Sequence, residues 1–291
     1  RGAPPAPRQG MKERPLGRTG RLLPIVGQGT WRLESESRAD AVRALQRGIE
    51  LGLTHIDTAE LFGRGAVEEL VGEAIAGYRG SVFLSSKVVP EHATYAGTLL
   101  ACERSLRRLR TDRLDLYLVQ RPSEHPLEET MRAMETLKHE GKILHYGVSN
   151  FDVADLEHAC ALVGAENVAC NQVLYHLGER DIEHVLLPVC ERLGVSVVGY
   201  SPFGSGDFPD PASPEGRVLV DIGRKYFVGP RAVALAFLVR RGSLFAIPKA
   251  TTPAHVDDNA RAGALELTPY EIERIDATFG LGPPRSHLPT V

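Results

Sequence analysis

The chain of 291 residues lacks the features that direct proteins to membranes, nucleic acids or oxidising compartments. No apolar run reaches the roughly 20 residues of a membrane-spanning helix, and the N-terminus has no apolar signal core. The net charge is only −3, with both signs mixed, so no concentrated basic face is expected for nucleic acid or a membrane surface. These absences leave a small molecule as the predicted partner, and we expect a monomer.

Cysteine is also scarce, and the spacing of the cysteines indicates no redox or metal-binding motif. The four cysteines form no C-x-x-C pair, and three of them fall in segments predicted to be helical. This pattern favours free, partly buried thiols in a reducing cytoplasm. No Cys/His cluster has the spacing of metal ligands, so no metal is predicted.

The first eleven residues differ in composition from the rest of the chain. They are rich in Pro, Gly and Arg and show no periodicity, whereas Met11 is a plausible natural start. We predict a disordered extension over residues 1–11 and a single domain over residues 12–291.

After that point, short apolar runs alternate with amphipathic stretches. Gly17 and Gly20 punctuate a predicted hairpin, and a helix is predicted over 37–51. The predicted strands are residues 26–30, 55–58, 82–86, 114–119, 143–148, 168–173, 195–200 and 244–247. Eight strands with room for helices between them favour an α/β fold, a (β/α)8 TIM barrel with an N-terminal β-hairpin. The dinucleotide-binding alternative is disfavoured because no third Gly opens a helix after residues 27–31.

In such a barrel, the active site is built at the carboxyl ends of the strands. That rule selects a set of mostly polar residues: 29–31, Asp57, Lys87, 120–121, 149–150, Gln172, 200–201 and Lys249. Their coincidence on one rim supports the predicted fold.

Several separate motifs between about residues 12 and 280 resemble those of the aldo-keto reductases. They are HIDTA at 55–59, SSK at 85–87, LDLYLVQRP at 114–122, GKILHYGVSNF at 141–151, NQVLYH at 171–176, GYSPFGSG at 199–206 and AIPKATTPAHVDDNA at 246–260. The chain is most similar to a bacterial methylglyoxal-reductase-like branch. The resemblance implies hydride transfer from a nicotinamide to a carbonyl carbon, with a Tyr as proton donor.

Carried over by motif, the resemblance implies that Asp57 and Lys87 match the family's Asp and Lys. Phe62 stands where the Tyr is expected and Gln120 where the His is expected. A phenyl ring has no ionisable hydrogen, and an amide can donate a hydrogen bond but cannot carry a proton. The catalytic set is therefore Asp57, Phe62, Lys87 and Gln120, with an atypical proton source.

Several alternatives for that site remain open. The proton could come from Lys87, from bound water, or from Glu60, Glu91 or His92 on nearby loops, and a protonated imine would need less acid help. Alternatively, Asp57 and Lys87 form an interior salt bridge that is kept for folding, and Phe62 is a packing residue. In that case the protein is a catalytically inactive NADP(H)-binding pseudoenzyme that acts as a sensor or scaffold.

The resemblance also implies a nicotinamide cofactor site that is better preserved. Its predicted residues are Thr30, Trp31, Ser149, Asn150, Gln172, Tyr200, Ser201, Phe203, Gly204, Ser205, Lys249, Ala250, His255, Asp258 and Asn259. Lys249 matches the family's lysine that binds the adenosine 2′-phosphate. The Ser and the Arg that accompany this lysine in the family are replaced here by Ala250 and His255. NADP(H) is favoured and NAD(H) remains possible, since fewer fixed charges discriminate less strongly for a phosphate.

The predicted substrate pocket is formed by Trp31, Val89 and Arg121. Val89 and Arg121 occupy positions where much of the family has large aromatic residues, so a wider pocket is expected. Arg121 could bind an acidic substrate group, but the following Pro122 favours a salt bridge within the loop.

Overall fold

The computed structural model describes residues 10–290 and contains ten strands and ten helices in that range. The strands are β1 (Glu13–Pro15), β2 (Leu22–Pro24), β3 (Gln28–Gly29), β4 (His55–Asp57), β5 (Phe83–Val88), β6 (Leu114–Val119), β7 (Ile143–Ser149), β8 (Val168–Leu174), β9 (Ser196–Tyr200) and β10 (Leu244–Ile247). The helices are α1 (Arg38–Glu50), α2 (Ala66–Ala74), α3 (Tyr95–Leu109), α4 (Leu127–His139), α5 (Val153–Val163), α6 (Leu186–Leu193), α7 (Pro214–Tyr226), α8 (Pro230–Leu238), α9 (Pro253–Ala262) and α10 (Pro269–Thr278).

Strands β3 to β10 form one parallel sheet in sequential order. The sheet closes on itself, because Val26, just before β3, pairs with Ala246 of β10 and Gly29 N donates to Pro248 O over 3.0 Å. Helices follow the strands and cover the outer face. The predicted (β/α)8 barrel is therefore confirmed, and all eight strands direct their carboxyl ends to one rim.

The antiparallel hairpin of β1 and β2 closes the opposite, N-terminal end of the barrel. Leu16 and Leu23 are fully buried in a cluster with inward-facing residues such as Leu116 and Phe245. The hairpin turn lies directly against β8, so that a Cβ on Gly17 would lie 2.5 Å from Ala169 O. The barrel interior is thus sealed from below, and access is left at the rim above.

Helix starts follow local sequence signals. Ser37 accepts a hydrogen bond from Asp40 N at the start of α1, and Thr268 and Glu271 form a reciprocal capping box at the start of α10. The predicted helix over 37–51 therefore contracts to Arg38–Glu50, with Ser37 as its cap.

The strand predictions are confirmed to within a few residues, with one larger difference. The first barrel strand is only Gln28–Gly29 instead of residues 26–30. Val26 makes just an isolated bridge, and the Thr30 hydroxyl turns to donate to Asp57 O over 2.8 Å. Barrel closure therefore relies on a short irregular segment.

The cysteine prediction is confirmed, since Cys102, Cys160 and Cys190 lie in helices and Cys170 in β8, all buried as free thiols. Residues 1–9 of the predicted extension lie outside the described range. Met11, its last residue, packs against the cluster that contains Ile25 and Val256. In the part of the chain that the structure describes, no helix is long and apolar enough to cross a membrane.

The hairpin turn predicts a specific loss of stability. Gly17 and Gly20 both have positive φ, at +49° and +72°, but only Gly17 has backbone atoms in the space of an added Cβ. We expect Gly20→Ala to lower the free energy of unfolding by about 1 kcal/mol, and Gly17→Ala by about 2–3 kcal/mol because the hairpin must also move. Urea denaturation of both variants measures the difference. Equal losses would show that the turn is not pressed against β8.

Candidate active site

A cavity of about 430 Å³ opens at the carboxyl ends of the barrel strands. It is lined by residues from the ends of all eight strands and the segments that follow them: Gly29, Thr30, Trp31, Arg32, Asp57, Leu61, Phe62, Lys87, Gln120, Arg121, Ser149, Asn150, Gln172, Tyr200, Ser201, Pro202, Phe203, Ser205, Ile247 and Lys249. The strand-end rule applied to the sequence therefore selects residues that the fold brings together in one cavity.

At its floor lies a buried ion pair between Lys87 and Asp57. The Lys87 Nζ donates to Asp57 Oδ2 over 2.6 Å and to Thr58 O over 2.8 Å. The other carboxylate oxygen of Asp57 accepts from Ser85 Oγ and Gln172 Nε2, each over 2.8 Å. Both charges are almost fully buried, and this complete set of partners offsets the cost of removing them from water.

Phe62 lies above this pair, where the sequence comparison places the proton-donating Tyr. Its ring centroid is 5.1 Å from Lys87 Nζ, a distance at which the ammonium is attracted to the aromatic face. Lysine has three N–H donors, and two of them are bound to Asp57 and Thr58. One N–H of Lys87 therefore remains for the cavity that this side chain lines.

Gln120 follows β6 and is nearly buried in the cavity wall. Its side-chain Oε1 makes no hydrogen bond with residues 10–290, whereas its backbone oxygen accepts from Asn150 Nδ2 over 3.0 Å. An unpartnered buried amide atom is costly within a protein, which marks this side chain as one with an unmet polar contact.

The predicted carboxamide-binding residues form a connected network. Ser149 Oγ donates to Gln172 O over 2.8 Å, and Asn150 Nδ2 donates to Ser149 Oγ over 3.2 Å. Tyr200 Oη donates to Asn150 Oδ1 over 2.9 Å, which fixes the ring at the end of β9. Asn150 adopts a left-handed conformation, with φ at +59°, that few side chains other than Asn and Asp tolerate.

The network has the polar groups that a nicotinamide carboxamide requires. The carboxamide NH2 group needs an acceptor, and Gln172 Oε1 accepts no hydrogen bond from the described part of the chain. The adjacent Tyr200 offers a ring of suitable size for stacking. The residues present therefore fit a nicotinamide ring with its amide directed to Gln172.

The loop after β9 has the backbone of an anion-binding concavity. Ser201, Gly204 and Ser205 all have positive φ, at +49°, +68° and +53°, and the Ser205 hydroxyl donates to Ser201 Oγ. Left-handed residues in such loops can direct neighbouring N–H groups to one side, although the Gly204 N–H is already bound to Ser201 O over 2.9 Å. Phe203 and Ser205 line the cavity as predicted, and Gly204 lies between them.

Lys249 lies at the exposed end of the cavity, after β10. Its Nζ is 3.5 Å from the Glu36 carboxylate, so the two side chains form a weak ion pair across the mouth. Helix α9 begins four residues further on, with Thr252 as N-cap and the exposed His255 in its first turn.

Four predicted adenosine-site residues lie beside the cavity and do not line it. Ala250 and His255 lie on the segment after Lys249, and Asp258 Oδ1 accepts from Gly229 N over 3.0 Å at the start of α8. Asn259 is almost completely buried. Asp258 and Asn259 therefore have structural contacts beyond any role toward a ligand.

The predicted replacement acids are positioned for a different role. Glu60 is buried, accepts from Val89 N over 3.0 Å and lies 2.9 Å from His92 Nδ1. Neither residue lines the cavity, and nor do Glu91 or Val89. Glu60 and His92 thus anchor the loop after β5. Val89 was expected to widen the pocket, but its side chain does not line the cavity.

Four cavity residues were not predicted from the sequence: Arg32, Leu61, Pro202 and Ile247. Arg32 and Pro202 directly follow predicted site residues, Leu61 directly precedes Phe62, and Ile247 ends the predicted strand over 244–247, so including the neighbours of each predicted residue and the strand ends themselves would have found them. Arg32 adopts a left-handed φ of +61° and lies with its guanidinium 4.4 Å from the Trp31 ring centroid. This left-handed conformation of Arg32 could not be predicted from the sequence.

Arg121 differs from its predicted interpretation. It lines the cavity but forms no ion pair or hydrogen bond with residues 10–290, so the expected salt bridge within its loop is wrong. In the described part of the chain, no group of three acidic, His or Cys residues is arranged to hold a metal ion.

The profile of the aldo/keto reductase family matches residues 26–279, which include every strand of the barrel. This chain belongs to the aldo/keto reductase family. It is 44% identical over 259 residues to methylglyoxal reductase YeaE of Escherichia coli, an alignment that covers 88% of this chain and 91% of the relative.

Solved structures of the family superpose closely on this aldo/keto reductase. An aldo/keto reductase from Klebsiella pneumoniae in complex with NADP and acetate is 39% identical, with a TM-score of 0.88 over 97% of this chain and 100% of that one. A further structure from the same organism, in complex with NADPH, has a TM-score of 0.89 at 39% identity and covers 97% and 99% of the two chains. Membership in this family makes the chain a protein of oxidoreductase type.

Below the ion pair, the barrel interior contains a buried histidine that should make the stability of the fold depend on pH. His55 starts β4, packs edge-on against Phe83 and has neither ring nitrogen hydrogen-bonded within residues 10–290. Burial lowers the pKa of His55 to about 4. The imidazole is therefore neutral in the folded protein at neutral pH.

We expect His55 to make the protein acid-sensitive. With a pKa of about 6.5 when unfolded, His55 binds a proton in the unfolded chain before it does so in the folded one. The stabilisation is fully present above pH 6.5 and falls as the pH drops toward 4, by about 3 kcal/mol in total. Urea denaturation at pH 7 and at about pH 4, with His55→Leu as the non-titrating comparison, measures this. An identical pH dependence in both proteins would rule the effect out.

Proposed function

We propose that this protein is an NADP(H)-dependent oxidoreductase that transfers a hydride to a carbonyl or imine carbon, with Lys87 replacing the usual tyrosine as proton source. The observation that carries the proposal is the intact Asp57–Lys87 pair on the cavity floor, with one ammonium N–H left for a ligand. Methylglyoxal reductase YeaE and the NADP-bound structures support carbonyl chemistry with this cofactor.

The residues divide into a cofactor side and a reaction side. When bound, a nicotinamide cofactor supplies a hydride from its ring. Tyr200 would stack on that ring, Gln172 would accept from the carboxamide, and the loop over residues 201–206 would bind the pyrophosphate through backbone N–H groups. Arg32, at the cavity edge beside Trp31, adds a fixed positive charge that suits the same phosphates.

On the reaction side, Gln120 and Lys87 would hold the substrate oxygen. The Gln120 amide can donate one hydrogen bond and the remaining N–H of Lys87 another, and both stabilise negative charge on that oxygen. As the hydride reaches the carbon, the C=O electron pair moves to oxygen, which takes a proton from the Lys87 ammonium to form the alcohol. The neutral amine then regains its proton from water.

This arrangement should give slow chemistry. The Asp57 carboxylate lies 2.6 Å from Lys87 Nζ, and a proton transfer from Lys87 would break this buried ion pair and leave the carboxylate without its counter-charge. Loss of a positioned general acid costs about 10²–10⁴ in rate. A substrate that needs less help from an acid, such as a protonated imine, would be reduced with less penalty.

The alternative function is a pseudoenzyme that binds NADP(H) as a sensor or scaffold. Two of the family's four catalytic residues are replaced, by Phe62 and Gln120, whereas the cofactor contacts are nearly complete. The cytoplasmic location, the monomeric state and the single domain over residues 12–291 stay predictions under either function.

Substitutions at position 62 distinguish an active oxidoreductase from a pseudoenzyme. We expect Phe62→Tyr to raise reduction of 4-nitrobenzaldehyde by NADPH at least about tenfold, because Lys87 would then lower the pKa of the new phenol. Phe62→Leu is the matched control, which removes the ring without adding a hydroxyl and should give no increase. Lys87→Met should reduce the activity of both the parent protein and Phe62→Tyr.

Each other outcome of that series points to a defined conclusion. Activity of the parent that survives Lys87→Met would show that another group provides the proton. If Phe62→Tyr combined with Gln120→His is still inactive while NADPH binds, the oxidoreductase proposal is excluded and the sensor role is favoured.

Cofactor choice can be measured separately from turnover. Lys249 and the N-terminus of α9 are the groups nearest to the expected 2′-phosphate, but Glu36 pairs with Lys249 and His255 carries no fixed charge. We expect NADPH to bind with a modest preference over NADH, and His255→Arg to tighten NADPH about tenfold with little effect on NADH. Quenching of Trp31, the only tryptophan, reports both affinities. Equal tightening of the two cofactors would show that position 255 does not face the phosphate.

A further inference from the structure

The cavity is lined by more cationic than anionic side chains, and ion pairs do not neutralise all of the cations. Its lining contains four cationic side chains and one carboxylate: Arg32, Lys87, Arg121 and Lys249 against Asp57. Lys87 is bound to Asp57 at 2.6 Å and Lys249 to Glu36 at 3.5 Å. Arg32 lies on the Trp31 ring. Only Arg121 has no charged, hydrogen-bonding or aromatic partner among residues 10–290.

The position of Arg121 in the barrel separates it from the groups expected to hold the cofactor phosphates. The eight strands form a closed ring in sequential order, so β6 lies four places from β10, directly across the barrel. Arg121 follows β6, whereas Lys249 follows β10 and the anion-binding loop follows β9. The cofactor phosphates would therefore be bound on the far side of the mouth from Arg121.

Arg121 is instead adjacent to the reaction side. It follows Gln120 directly, and the Gln120 amide is the group expected to hold the substrate oxygen. The lining of the same cavity includes the apolar side chains of Trp31, Leu61 and Phe62. A substrate with its carbonyl at Gln120 and Lys87 thus has an apolar wall beside it and a guanidinium at the mouth.

We infer that Arg121 binds an anionic group of the substrate, and that the preferred substrates are aldehydes or ketones that also carry a carboxylate. The inference rests on the proposed function for the reaction, but the anion contact itself does not. A guanidinium presents two parallel N–H donors that match a carboxylate, and it stays charged at every physiological pH. Arg121 is exposed at the mouth of the cavity, so the contact would gain from its two-pronged geometry and from the absence of a competing partner, and not from burial.

The kinetic test uses two substrates of the same shape. 4-Formylbenzoate carries the carboxylate, and 4-formylbenzamide replaces it with a neutral amide. We expect kcat/KM to be about tenfold higher for the benzoate, mainly through KM, and Arg121→Gln to abolish that preference by lowering kcat/KM for the benzoate much more than for the benzamide. Arg121→Lys should retain part of it because the charge remains.

Arg21→Gln is the matched control. Arg21 is an exposed arginine without an ion pair in the described chain, and it lies on the hairpin at the opposite end of the barrel. Its removal changes the net charge equally but should leave the benzoate preference unchanged. A preference that survives Arg121→Gln, or that falls equally with Arg21→Gln, would overturn the inference.

A binding measurement separates this inference from the proposed function. Benzoate and benzamide are titrated against the protein saturated with NADPH, with Trp31 fluorescence as the signal. We expect Arg121→Gln to weaken benzoate about tenfold and to leave benzamide unchanged. If no aldehyde is reduced but this result is obtained, the anion site stands and the oxidoreductase proposal fails. If Arg121→Gln leaves benzoate affinity unchanged, the anion site is excluded whatever the turnover.

Discussion

The buried ion pair between Asp57 and Lys87 is the contact on which the rest of the site depends. Asp57 lies on β4, Lys87 on β5 and its further partner Gln172 on β8, so the network connects strands across the barrel interior. Removing one member would leave an uncompensated buried charge, at a cost of about 3–5 kcal/mol. The pair is therefore a structural requirement as well as a chemical one, and its presence alone does not distinguish an enzyme from an inactive relative.

Under the proposed function, the site keeps groups that position a substrate and lacks two groups that would titrate. Phe62 places an aromatic ring over Lys87, at 5.1 Å, but has no proton to give. Gln120 would offer a hydrogen-bond donor to the substrate oxygen without a second ionisable group. Preorganised donors stabilise developing charge whether or not they transfer a proton. Such a site can still favour hydride transfer, with proton delivery as its weak step.

The order of the strands determines where the cationic side chains lie around the rim. The cations beside β3 and β10, Arg32 and Lys249, lie near the loop that offers backbone N–H groups, where a phosphate-rich cofactor would be bound. Arg121 lies across the mouth, after β6. Because strand order fixes which loops are neighbours, one barrel can direct an anionic cofactor to one side and an anionic substrate to the other. The separation also keeps the two anionic ligands from competing for a single cation.

The barrel, its hairpin and most of the cavity can be predicted from the amino-acid sequence. Apolar periodicity marks strands and helices locally, and the strand-end rule then places Asp57, Lys87, Gln120 and Tyr200 on one rim. The pairing of side chains, in contrast, is visible only in the folded barrel. Glu60 is bound by Val89 and His92, Arg121 has no carboxylate beside it, and Gln172 reaches Asp57 from 115 positions away. Periodicity fixes the face on which a side chain lies, but its partner comes from another strand, and that distance is set only when the barrel closes.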